Sequence, residues 1–342
     1  MPMPNVLRAV RKPAAIAAIV GLAASGFSGV LPAAAAAGSL HAAGTVYLGK
    51  GSSAFSYDFT EAPSGAVFYS SGARVYVVKG TSAPVQVVQA KGNVLALAAS
   101  SSELFVDVGA TVTAYRLPGG IAMRQWRLSS PFPVTSAGLY AVGSTIWAWT
   151  DWSTDESGLE YANVSRFTTA SSAVHLVSAG IAYPADVAAD ANGLYYQAVR
   201  KDGSNGYVVH VTPSGASRRV TDVNIDGPLA LAGGRVVLLV PHYPSGNTYL
   251  DSYDARSLAH VFSRRVSGDD ADIAGTGAGL LVLTAPCQNS VCAAATVSQL
   301  AAATGARIST LTVPYAVTLV AGSSAVVITY RSGKFYLERL AG

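Results

Sequence analysis

One short pattern returns seven times along this sequence: an apolar run, a turn of Gly, Ser or Asn type, and a second apolar run. The copies are AVFYSSGARVYVV (66–78), LALAASSSELFVDV (95–108), LYAVGSTIWAWT (139–150), VAADANGLYYQAV (187–199), LALAGGRVVLLV (229–240), IAGTGAGLLVLT (273–284) and VTLVAGSSAVVITY (317–330). Each run is short, rich in β-branched residues and bounded by turn formers, which predicts strands rather than helices. The second runs begin at Val75, Leu104, Ile146, Leu194, Val236, Leu280 and Val326, so the steps are 29, 42, 48, 42, 44 and 46 residues. Five of the six match the roughly 40–50 residues of a propeller blade.

In five copies a second hairpin follows, at 111–128, 161–178, 206–221, 248–266 and 295–313. These supply outer strands C and D after inner strands A and B. The sequence therefore predicts an all-β fold, a β-propeller of seven four-stranded blades, with six left open by the short first step. A brief helix near Ser298–Ala303 competes with a strand and turn there. The last copy has A, B and KFYLERLAG (334–342) as C, but no D strand, while 44–59 has strand character and no blade of its own. The N-terminal segment is therefore expected to complete the last blade and remove the open sheet edge.

Residues 1–37 read as a leader rather than as part of the fold. Arg8, Arg11 and Lys12 precede an uncharged Ala/Gly-rich stretch, Ala14–Leu31, and Ala33–Ala37 offers small-residue cleavage choices before Gly38. That is the layout of a secretory signal peptide. The expectation is one domain over 38–342, secreted or extracytoplasmic, touching a membrane only through an uncleaved leader. The Ala/Gly-rich composition suggests a bacterial source. The formal charge is +4, of which the leader contributes three, leaving +1 for the rest. A near-neutral body is not the footprint of a nucleic-acid binder. Cys287 and Cys292 are the only cysteines, five residues apart. In an exported protein they are expected to form a local disulfide, against a rival reading as two ligands of a metal. Asn163-Val164-Ser165 is a glycosylation sequon.

PADVAADANGLYYQAV (184–199) resembles the NHL and streptogramin-lyase-like propeller repeats, in which a Pro leads into strand A and an Asp-Ala-Asn-Gly-type turn leads into strand B. YDARSLAHVF (253–262) and LAAATGARIST (300–310) resemble the outer hairpins of surface-layer and quinoprotein-like propellers. The resemblance implies the propeller class and transfers no activity. Quinoprotein repeats would place a Trp after most outer turns, and here only Trp126 stands so. A streptogramin-type lyase needs histidines on its top loops, and only His242 falls in one.

In a four-stranded meander the B–C and D–A loops share one end. The B–C loops of the middle blades (151–161, 201–207, 241–248) are longer than any A–B turn, and long loops on a rigid scaffold are where function gathers. The candidate ligand-binding residues there are Trp152, Asp155, Glu156, Lys201, Asp202, His242 and Tyr243, joined by Asp186 and Asp270 at the heads of inner strands. Each candidate also has a bland reading: Trp152 as packing, and Asp186, Asp270 and Asp272 as partners of a neighbouring blade's amides. Asp222, Asn224 and Asp226 match half of a calcium loop, but position twelve is Gly233 instead of the required Glu. No nucleophile, phosphate-loop or cofactor motif is present, so no cofactor is expected. The reading is a monomeric, non-catalytic binding or scaffold propeller recognising a glycan or a peptide or protein. The alternative is a lyase or glycan hydrolase using carboxylates at the channel mouth.

Overall fold

The computed structural model describes residues 40–341 apart from 51–57, 154–159, 183, 199–205, 224–226, 243–246, 267–269, 276–278, 286, 289–290, 293, 321 and 323–324. It contains seven four-stranded antiparallel sheets and no helix among the described residues. The inner strands are Phe59–Glu61, Ala96–Ala99, Ser136–Val142, Pro184–Asp190, Leu229–Ala232, Asp270–Gly275 and Ala316–Val320. Each packs against the next, and that of blade seven against that of blade one, so the seven form a closed ring. Ser298–Ala301 is strand throughout, ending the C strand Ala295–Ala301 of blade six.

Alternation explains why the sheets stack. In blade two, Leu104 and Val106 face blade one and join Val75 and Leu97. Phe105 faces blade three and joins Leu139, Ile146 and Trp126. Successive side chains of a strand point to opposite faces, so a strand apolar at every position is buried between two blades. Close approach also needs small residues. A β-carbon at Gly275, on the inner strand of blade six, would collide with the Leu231 carbonyl of blade five.

The closure follows the expectation, with a shifted boundary. The closing strand is His41–Lys50, and it pairs antiparallel with Lys334–Ala341 from His41 opposite Ala341 to Lys50 opposite Lys334. Phe59, assigned from sequence to the closing segment, instead begins the inner strand of blade one. That strand is only three residues long, too short to carry a periodic signal. The repeat at 66–78 is consequently strands B and C of blade one, Val67–Ser71 and Arg74–Val78, not A and B. This is why its step was 29: counted between true B strands, Val67 to Glu103, it is 36.

Arg339 secures the seam by donating to the carbonyls of Gly80 at 2.8 Å and Gly65 at 2.9 Å, both in blade one. The Tyr69 hydroxyl of blade one donates to the Leu48 carbonyl at 2.9 Å.

Candidate functional site

The end carrying the B–C and D–A loops begins with the heads of the inner strands, where three aspartates tie one blade to the next. Asp58 Oδ2 accepts from the Leu97 amide at 2.5 Å. Asp186 accepts from its neighbour Val187 at 2.8 Å through Oδ1 and from Leu229, in blade five, at 2.6 Å through Oδ2. Asp272 repeats this with Ile273 at 2.9 Å, and with Leu319 at 2.9 Å and the Thr318 hydroxyl at 2.7 Å in blade seven. A carboxylate accepting backbone N–H bonds is held in its charged form and fixed in place. The bland reading therefore holds for Asp186 and Asp272, whose oxygens join blades. Gln197, fully buried, adds a bond from Nε2 to the Gly227 carbonyl between blades four and five.

Carboxylates do converge near the ring. The Tyr140 hydroxyl, fully buried, donates to Val187 O at 2.8 Å. Burial, then the negative charges of Asp186, Asp58 and Asp151, raise its pKa well above the ordinary phenol value. Tyr140 is therefore a fixed donor between blades three and four.

Trp152 is not a loop residue. Strand B of blade three runs to Ser153, and Trp152 lies opposite Tyr161 with the rings stacked at 6.2 Å and 19°. The indole is only 5% exposed, so the partly exposed Tyr161 and the exposed Glu160 present the hairpin to solvent. Trp147 is core, 1% exposed. His242 ends strand B of blade five opposite Asn247, and Asp270 opens the inner strand of blade six opposite Ala285. Asp155, Glu156, Lys201, Asp202 and Tyr243 lie outside the described residues, as do Asn224 and Asp226 of the calcium-like segment. Among the described residues no group of three or more His, Cys, Asp or Glu side chains could hold a metal.

The backbones of Cys287 and Cys292 pair directly across a two-stranded hairpin of their own in the B–C loop of blade six. The sequon is interior. Asn163 is buried, donates through Nδ2 to Ser129 O at 2.9 Å and accepts from Gly180 N at 3.1 Å. Its amide nitrogen is already bonded in the folded chain.

Sequence reasoning missed Asp58, Asp107 and Tyr140. A signal for Asp58 exists: Asp58-Phe59, Asp186-Val187 and Asp272-Ile273 each place an Asp before an apolar residue at the head of an inner strand.

No protein-family model matches the sequence, and neither does any curated protein. Solved structures share its fold. BBS1N, solved in complex with ARL6DN, aligns with a TM-score of 0.54 and 15% identity over 80% of this chain and 86% of that one. Hsv2 of Kluyvelomyces marxianus aligns with a TM-score of 0.54 and 10% identity over 82% of this chain and 96% of that one. A luciferin-regenerating enzyme aligns at 0.41 and 11% identity over 71% and 88%. The chain is a seven-bladed β-propeller. At such identities the likeness is one of fold.

Proposed function

We propose that this propeller is an exported binding or scaffold protein that recognises a polar ligand, a glycan or a peptide, on its loop-rich end. The observation that carries this reading is the commitment of Asp186 and Asp272 to backbone amides of their own and the next blade. A lyase or hydrolase needs a carboxylate at the mouth that is free to exchange protons, and these two serve as structural latches. BBS1N, a propeller of the same fold, binds a protein, which supports a protein or peptide ligand. The NHL-like reading of 184–199 belongs to this proposal. Its support is the Asp190-Ala-Asn-Gly turn between strands A and B of blade four, where Asp190 accepts from the Asn192 amide at 2.8 Å.

The test begins with glycan and peptide arrays, followed by calorimetry on the tightest hit. Glu160→Ala and Tyr161→Ala, on the long hairpin of blade three, should weaken it about tenfold, roughly the 1.4 kcal/mol of one good contact. Ser101→Ala, in an A–B turn at the opposite end, should leave it unchanged. Affinity lost in the turn variant and kept in the hairpin variants would reverse the assignment of faces.

Export and cleavage near Gly38 are part of the same proposal, and so is a Cys287–Cys292 disulfide. Cα atoms directly opposite in an antiparallel pair stand about 4.5–5.5 Å apart, within the span of a disulfide. Thiol titration of denatured, secreted protein should find no free thiol. Two free thiols would exclude the bond.

A further inference from the structure

We propose that the outer wall of the propeller binds an acidic polysaccharide in the groove between blades five and six. The outer strands of blades four, five and six are Ser217–Val223, His260–Val266 and Arg307–Val313. They carry Arg218, Arg219, Arg264, Arg265 and Arg307 against one acid, Asp222, and no lysine. All five arginines are exposed.

Arginines of neighbouring blades are turned toward each other. Arg264 lies on the side of its sheet that meets blade six: its Cδ is 3.2 Å from where a β-carbon at Gly305, in the outer turn of blade six, would sit. Arg307 follows that turn directly opposite Leu300, whose side chain lies in the core shared with blade five. Directly opposite residues project from the same side of a sheet, so Arg307 is turned toward blade five. One arginine from each wall thus faces the groove. Phe262 is half-buried two residues before Arg264, shares its side and rests its ring against Gly305. Thr310 stands opposite Ser298, itself opposite Val282 of the same shared core, so both hydroxyls join this side.

The arrangement recurs one blade back. Arg265 is next in sequence to Arg264 and points the other way, toward blade four. Arg218 of blade four stands opposite His210, and His210 opposite Tyr195, whose hydroxyl donates to the Ala255 carbonyl of blade five at 2.9 Å. A polymer crossing the outer strand of blade five therefore meets arginines on both sides of it.

The charge of these side chains is not cancelled. Among the described residues no carboxylate pairs with Arg218, Arg264, Arg265 or Arg307. The two acids on strand C of blade five are taken. Asp251 accepts from Ser263 Oγ at 2.6 Å, and Asp254 bonds Arg235 at 3.1 Å and the amides of Arg256 and Ser257. The outer hairpin of blade six, 295–313, contains no acid. Asp222 stands four residues beyond Arg218, about 13 Å along an extended strand.

The chemistry that fits is an anionic group carried on a sugar ring. Guanidinium forks hold a carboxylate or sulfate through paired N–H donors, as lysine does not. Aromatic side chains and arginine are enriched together at binding surfaces, and here Phe262 offers an apolar face to the ring while the arginines hold its acid group. Strand addition by a peptide is disfavoured because both outer edges are bulged. Val261 and Ile308 have no residue opposite them, and bulges blunt an edge against pairing. A groove between blades admits a chain, whereas a flat bilayer meets only the blades' outer edges. The site lies by the outer turns, at the end opposite the long loops, so its failure would leave the reading above standing.

The test is isothermal titration calorimetry with a heparin decasaccharide and a galacturonic acid decasaccharide, against maltodecaose as the neutral control. At least one acidic sugar should bind saturably, the neutral one should not, and affinity should fall as salt rises. Arg264→Gln and Arg307→Gln keep part of the aliphatic stem and remove the charge. Each should weaken binding about tenfold and leave the melting temperature unchanged. Arg74→Gln, at an exposed cation of blade one, and Glu160→Ala should change nothing. The proposal is overturned by absence of saturable binding, or by an equal loss in Arg74→Gln. A loss in Glu160→Ala would move the sugar to the loop-bearing end and overturn it as well. Tighter binding of decaglutamate, or of phosphatidylglycerol vesicles, would replace the sugar with a peptide or a membrane and has the same consequence. Full affinity with a lowered melting temperature in both Gln variants would make the arginines structural.

Discussion

Deletion of residues 40–50 should destroy the folded monomer. Among the described residues, the strand His41–Lys50 is the partner of the outer side of Lys334–Ala341. The deleted segment also carries side chains into two cores: Val46 and Leu48 lie with Phe335, Leu337 and Tyr69, and Leu40, just before the strand, with Leu283, Val327 and Leu340. Burying each such side chain is worth about 1.5–3 kcal/mol. Three of them, with the hydrogen bonds of the ladder, rival the whole stability of a domain, about 5–15 kcal/mol. The deletion also bares an apolar strand edge, which invites pairing between molecules. Light scattering and calorimetry should show aggregation, or a melting temperature lower by more than about 10 °C. A synthetic peptide of residues 40–50 added during refolding should restore the monomer by re-forming the ladder. A deletion variant that stays monomeric with unchanged melting would disprove closure by this strand.

How far the sequence discloses this molecule can be judged residue by residue. Period and alternation are properties of whole strands, so the blades and the missing D strand were readable. Phe59–Glu61 failed that reading because three residues are too few for a pattern, and the loss displaced the first repeat by one strand. Trp152 was misplaced because a polar turn-like stretch, DWSTDES, follows a strand that in fact continues to Ser153. The roles of Asp186 and Asp272 were readable only as alternatives. An aspartate at a strand head looks the same whether it faces solvent or the next blade's amide, and the bond to Leu229 or Leu319 spans more than forty residues. Arg331, Lys334 and Lys50 are the extreme case. Two are three residues apart and the third lies at the other end of the chain, so ring closure alone brings Lys50 opposite Lys334.

Asp107 offers the second large effect, and it runs against intuition because removing a native charge should stabilise the protein. The residue ends strand B of blade two, opposite Ala96 and Val112, and is fully buried on the face turned toward blade three. Neither carboxylate oxygen has a hydrogen-bond partner. Burial raises its pKa from 3.8 to about 6, opposed by the nearby amides of Ala110 and Thr111, neither of which makes a full hydrogen bond to it. The folded chain therefore holds this proton over a pH range in which the unfolded chain has lost it. The resulting stability is fully present below about pH 4 and is lost as pH rises through about 6, an amount of about 3 kcal/mol for a shift of this size. At pH 7.5 wild type carries a buried, unpaired carboxylate, whereas Asp107→Asn carries a neutral amide of nearly the same shape. The variant should melt higher at pH 7.5 by several degrees, about 2–4 °C for each kcal/mol recovered in a domain of this size. Near pH 4 the two should melt together, since both side chains are then neutral. Thermal scans from pH 4 to 8 read the difference directly. Parallel pH profiles for the two proteins, or a variant that melts lower at pH 7.5, would show that Asp107 has a partner in solution and that its charge is not the cost.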